Sequence, residues 1–335
     1  MLERLERPIV QAPMAGGGST PELAAAVSGA GGLGFLAAGY KTADAMRADI
    51  AATRALTSRP FGVNVFMPAT GTADEAAVAA YRERLVPEGE RLGTEPGRPA
   101  ADRTDAYAAK IECLVADPPA VVGFTFGCPD AETVRALRDR GACVIVTVTA
   151  PEEAVTAVEA GADALCVQGA EAGAHQGSFT DAGLEPAALR PLLRDVRSVT
   201  GLPLIAAGGL GTREHVAEVL ALGAVAAQLG TAFLRSPESG ASAVHKAALA
   251  DPRYTRTALT RAFSGRPARG LVNGFMTRYD PYAPAAYPDV HYVTSPLRKA
   301  AAAQGDPEGV NLWAGTSWRL AADSPAAEIV RTLTP

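Results

Sequence analysis

The chain has 335 residues, 48% hydrophobic and 20% charged, with 31 Lys and Arg against 36 Asp and Glu for a net charge of −5. That is room for one large α/β barrel or two domains, and the absence of any run of like charge argues against nucleic acid as a partner. The longest apolar stretches, such as VAAQLGTAFL, are too short and Gly-rich to span a membrane, and the MLERLERPIVQ start carries charges where a signal peptide needs an apolar core, so a cytoplasmic location is expected.

Eight short β-rich runs follow in order: PIVQAPM (8–14), GLGFLAAG (32–39), FGVNVFM (61–67), AVVGFTF (120–126), CVIVTVT (143–149), ALCVQGA (164–170), PLIAAGG (203–209) and AVAAQLGTAFL (224–234). They are apolar almost throughout, as strands buried on both faces should be. Helical segments such as PELAAAVSGA, DAETVRALRDR, PEEAVTAVEAG and TREHVAEVLALG lie between them, several ending in Gly. Eight strand–helix units predict a TIM (β/α)8 barrel over residues 1–67 and 120–252. A doubly wound sheet is the alternative, but no G-x-G-x-x-G follows the first strand. Residues 68–119 read as an insertion with helices near 73–86 and 102–116. Residues 253–335, holding both tryptophans and five of the eight tyrosines, read as a helical cap near the barrel mouth. The four cysteines (Cys113, Cys128, Cys143, Cys166) lack CxxC spacing and read as free thiols, Cys143 and Cys166 inside strands.

In a TIM barrel, function sits where strands end. The first strand delivers Gln11, Ala12, Pro13 and Met14 with three glycines behind them; the third delivers Asn64. The sixth delivers QGAEAGAHQG, with Gln168, Gly173 and His175. Glycine permits close backbone approach to a flat ligand, and an imidazole exchanges protons near neutrality. The seventh ends in Gly208 and Gly209, the eighth in Gln228, Leu229, Gly230 and Thr231. Barrels commonly bind phosphate between these last two loops, so a phosphate site is expected there. Glu171 either orients His175 or sits on the rim. His215 is expected on a solvent-facing helix and His245 in a structural role; His291, between Tyr287 and Tyr292, either lines a pocket or packs the cap. The histidines are too scattered for a metal site.

These segments resemble the class I nitronate monooxygenases, formerly 2-nitropropane dioxygenases, nearly end to end. QAPMAGG, GFTFGCP (123–129), QGAEAGAHQG, the Gly–Gly and Gln-x-Gly-Thr segments, SGRPARG and LWAG are similar to family motifs in order. The resemblance implies an FMN-containing barrel with contacts from the 12–14 backbone, Asn64, Gln168, Gly173, Gly209 and 228–231. It implies His175 as catalytic base, and O2-dependent conversion of alkyl nitronates, or nitroalkanes, to a carbonyl compound and nitrite. Two positions depart from the family pattern: Ala174 stands where Gly is usual, and Gly123 where Ser is more frequent. The rivals on the same scaffold are an FMN-dependent NAD(P)H enoyl-acyl-carrier-protein reductase and a quinone reductase; a non-catalytic FMN protein and a phospho-sugar aldolase or isomerase are further readings. The oligomeric state is left open.

Overall fold

The computed structural model describes residues 2–69, 71, 74–99, 102–181 and 186–335. Eight parallel strands form the central sheet: β1 (Ile9–Gln11), β2 (Gly34–Ala37), β3 (Phe61–Phe66), β4 (Val121–Thr125), β5 (Cys143–Val148), β6 (Ala164–Gln168), β8 (Leu204–Ala207) and β9 (Ala226–Leu229). The short β7 (Ala174–His175) branches out of the series to join β10 (Thr257–Thr260) and β11 (Ala268–Leu271) in a second, antiparallel sheet. The large sheet runs β1-β9-β8-β6-β5-β4-β3-β2. Its two ends meet at a parallel bridge between Val10 and Leu33, where Leu33 N–H donates to Ile9 O and Gln11 N–H to Leu33 O, both 2.9 Å. The result is a TIM barrel.

The apolar runs become barrel strands because both faces are covered. Val10, Leu33, Phe35, Val121, Ile145, Cys166 and Ile205 form a cluster with Leu2. A side chain at Gly62 would strike the Phe35 ring at 2.4 Å, so small and large residues alternate of necessity. A second class of strand residue, including Val63, Val65, Val122, Phe124 and Val144, packs with the outer helices. Thr20, Thr42, Asp130 and Thr212 cap helix N-termini with their side chains.

The expected insertion and tail each divide in two. Helices Glu75–Arg84 and Val86–Leu92 share a core with the tail through Val78, Tyr81, Leu85 and Leu92, whereas helix Tyr107–Ala116 packs on the barrel through Leu114. Residue 73, from which the first of these helices was expected, lies outside the described residues, as do 100, 101 and 182–185. The tail adds β10 and β11 to its helices. Its last helix, Ala326–Leu333, leaves the mouth and seats Ile329, Val330 and Leu333 in the barrel's outer core. That helix takes the eighth outer position, beside helix Pro21–Gly29.

The four cysteines are free, Cys166 buried and the others half-buried. Among the described residues no helix is long and apolar enough to cross a membrane, and no cluster of His, Cys, Asp and Glu could hold a metal ion.

Candidate active site

Strand register gathers the site. Asn64 pairs with Gly123, Gln168 with Ala207, Ala207 with Gln228, and Gln11 with Leu229, all at the C-terminal ends of the strands. A cavity of about 660 Å3 opens there under the tail. Ala12, Pro13, Met14, Asn64, Gln168, Gly173, His175, Gly208, Gly209, Gln228, Leu229, Gly230 and Thr231 all line it.

These side chains are committed to different degrees. Gln168 holds the histidine loop, donating from Nε2 to His175 O (3.2 Å) and accepting from Gly177 N–H (2.7 Å). Asn64 Oδ1 accepts from Thr125 Oγ1 (3.1 Å), and Gln228 Nε2 donates to Cys166 Sγ (3.2 Å). Glu171 does not orient His175. Its carboxylate accepts from Leu189 N–H at 3.0 Å and caps the helix Leu189–Val199. His215 is half-buried with its Nδ1 unpartnered, not solvent-facing as expected. His245 lines the cavity but bonds Trp313 O through Nε2 (2.9 Å), which fits a structural role.

Gly208 and Gly209 sit at φ +119° and +68°, a conformation open to glycine. A third segment of the cavity wall, 315–317, follows no barrel strand. Gly315 N–H donates to Thr231 Oγ1 (3.0 Å), Ser317 Oγ donates to Gly209 O (2.7 Å), and a side chain at Gly209 would meet Glu171 Cβ at 2.9 Å. Gly173 likewise packs on this segment, where added bulk would meet Gly315 N at 2.6 Å. Among the described residues, no hydrogen bond takes the N–H of Gly209, Gly230 or Thr231. They are ready donors for an anion.

His175 stands between barrel and roof. Its Nε2 shares a 2.8 Å hydrogen bond with Ser264 Oγ, and Ser264 Oγ lies 3.2 Å from Arg266 O. Nδ1 has no protein partner among the described residues. Phe126, Tyr287 and Trp313 surround the ring at centroid distances of 5.8, 5.6 and 5.7 Å. Burial, then the charges of Arg266 and Arg298, pull its pKa down to about 3, so the imidazole is neutral at physiological pH. Arg266 is itself buried. It donates to Gln176 O (3.2 Å) and Ser178 O, and lies 4.1 Å over the Phe126 ring.

Backbone strain concentrates at the same place. Tyr40, Phe126 and Ala174, all cavity-lining, have φ of +65°, +76° and +62°. Left-handed non-glycine residues cost free energy and cluster at functional sites. Ala174 holds the histidine loop in a conformation that glycine adopts without strain.

A closed barrel with a roofed cavity, an imidazole and anion-ready loops at its C-terminal mouth defines a TIM-barrel enzyme site. A family model described as nitronate monooxygenase matches residues 1–335, and the chain belongs to that family. A nitronate monooxygenase from Pseudomonas aeruginosa is 43% identical over 98% of this chain and 95% of its own, and one from Paraburkholderia phytofirmans is 40% identical over 98% and 92%. The crystal structure of nitroalkane oxidase from Streptomyces ansochromogenes superposes with a TM-score of 0.97 at 53% identity, covering 99% of this chain and 96% of that one. FabK from Thermotoga maritima gives 0.75 at 27%, covering 99% and 93%.

Proposed function

We propose that this protein is an FMN-dependent enzyme that oxidises alkyl nitronates with O2 to a carbonyl compound and nitrite. The observation that carries this reading is the charge of the cavity. Among the described residues its lining holds Arg298 and Lys299 and no carboxylate, beside a half-buried, neutral imidazole. A small anion delocalised over a planar group suits such a site.

The residues present fit FMN. The cavity has the size typical of ligand sites. The free N–H groups of Gly209, Gly230 and Thr231 suit its phosphate, and the 12–14 turn, Asn64, Gln168, Gly173, Gly208, Gln228 and Leu229 lie where its ring system would rest. When bound, FMN supplies the electron-accepting ring between substrate and oxygen. The protein does the rest. Ser264 and Gln168 fix the ring and the loop of His175, leaving Nδ1 for the substrate. A neutral imidazole this reluctant to take a proton removes one from an uncharged nitroalkane slowly, though faster than water would. Toward a nitronate no proton need be removed, so nitronates are the better substrates.

The test is direct. The purified protein should be yellow and should release nitrite from ethyl nitronate in air, faster than from neutral nitroethane. Rapid anaerobic bleaching of the flavin by NADH, with no nitrite from nitronates, would instead make it a reductase.

A further inference from the structure

His291 comes from the first turn of helix Asp289–Ala303 and lines the cavity, yet the reaction as proposed gives it no part. Its ring is clamped on a face and on an edge. Tyr40 stacks against it at 3.9 Å between centroids and 6° between planes. Tyr40 is itself fixed, its N–H donating to Asp105 Oδ1 (2.9 Å) and its hydroxyl accepting from the hydroxyl of Tyr287 (3.2 Å). On the edge, Arg298 Nη2 lies 2.8 Å from His291 O and 3.3 Å from His291 Nδ1.

A guanidinium has hydrogens to give and no lone pair to offer. Nδ1 is therefore the acceptor, and the ring proton sits on Nε2. Nε2 has no protein partner among the described residues, and it is not among the buried side-chain atoms left without one, so it keeps contact with the cavity. Burial, Arg298, His175 and Lys299 all keep the ring neutral. His291 thus presents an oriented, uncharged N–H donor whose organisation is complete before a ligand arrives.

We propose that His291 is a substrate-contacting residue whose Nε2–H holds an oxygen of the nitro group of a nitronate. This deepens the nitronate reading and, for its substrate, rests on it. His291→Phe keeps a flat ring against Tyr40 and removes the donor; His291→Gln restores an N–H. With 15N-labelled histidine, the protein as isolated should show an Nε2–H tautomer missing from the His291→Phe spectrum. Nitrite, a small planar oxyanion probe, should shift that signal. In His291→Phe the nitrite dissociation constant and the KM for ethyl nitronate should rise about tenfold or more, as expected for losing a hydrogen bond to an anion. kcat should stay within about threefold, flavin content should not change, and His291→Gln should recover part of the loss. An Nδ1–H tautomer, or nitrite binding equally well to His291→Phe, would overturn the proposal. Were the wild type inert toward nitronates, the tautomer and nitrite measurements would still decide the donor, while the nitronate reading would fail by itself.

Discussion

The barrel and its roof approach the cavity with different chemistry. The barrel offers mostly main chain, namely glycine turns at 208–209 and 230 and the backbone after β1, with Asn64, Gln168 and Gln228 held in protein hydrogen bonds over a mainly aliphatic core. The roof, built from helices 75–92 and most of the tail, offers side chains. Ser264, His291, Arg298 and Trp313 come from it, with Arg266 and Tyr287 packed behind on Phe126 and His175, and a core rich in Tyr81, Phe263, Phe275 and Trp318 backs them. Backbone grips what is common to every substrate, and side chains discriminate. On the proposed function, the division implies that the barrel would keep the cofactor and the roof would set what reacts with it.

The broadest way to break this division is acid, because half-buried histidines line the seam. Burial holds His175 down to about 3 and His245 down to about 4, and His291 is held well below its ordinary 6.5. Unfolded, each takes a proton near 6.5. The folded chain therefore binds fewer protons between those limits. Stability from this source is full above about pH 6.5 and is lost as pH falls toward 4 and then 3, by about 1.4 kcal/mol per pH unit for each histidine. Urea midpoints from pH 7 to pH 4.5 should fall steeply, and His245→Gln should flatten the slope. An unchanged slope would show that His245 titrates normally.

Next is His175→Asn, which should retain flavin and slow neutral nitroethane about 100-fold, with a smaller loss on ethyl nitronate. Equal turnover of nitroethane by variant and wild type would remove the base assignment. For the barrel side, Gly209→Asp is a poor probe, since any side chain there meets Glu171. Gly230 has room, its nearest contact for an added Cβ being Ala12 at 3.4 Å. Gly230→Asp should weaken FMN binding about tenfold or more by placing a carboxylate near the phosphate, while Gly230→Ala keeps it; flavin-to-protein absorbance ratios compare the two.

Smaller effects separate the cores. Glu88 is buried between Arg91 (2.7 Å) and Arg278 (3.1 Å), joining helix Val86–Leu92 to the tail. Both arginines are nearly half-exposed, so Glu88→Gln should cost only about 1–2 kcal/mol. Hydrogen exchange should then rise in helices 75–92 before the barrel strands; a uniform rise would mean roof and barrel unfold as one. Least of all, Ala174→Gly relieves a left-handed alanine and should shift stability by no more than about 1 kcal/mol, upward or neutral.

The same division explains what the sequence disclosed. Eight apolar runs were legible as barrel strands because burial on both faces leaves a pattern, and strand-end logic then found the residues now lining the cavity from 12 to 231. That logic has no purchase on the roof. Ser264 and Arg266 follow β10 and Gly315 follows an irregular stretch, so the family-like segments SGRPARG and LWAG marked them without showing that they neighbour His175 or Gly209. His291 carried no periodic signal separating packing from pocket. Glu171 showed no sign of being a helix cap, since its partner Leu189 is 18 residues away. The second sheet stayed hidden because β7 is two residues long and finds β11 only in three dimensions.

The helix Ala326–Leu333 lies against the helix Pro21–Gly29 on the outer wall. During synthesis that flank stays bare until residue 333 has left the ribosome, by which time the roof has already emerged. Completion of the ring is thereby tied to completion of the lid: a ribosome-stalled product that stops short of residue 326 would carry every group lining the cavity and still expose a sticky apolar furrow for chaperones to hold.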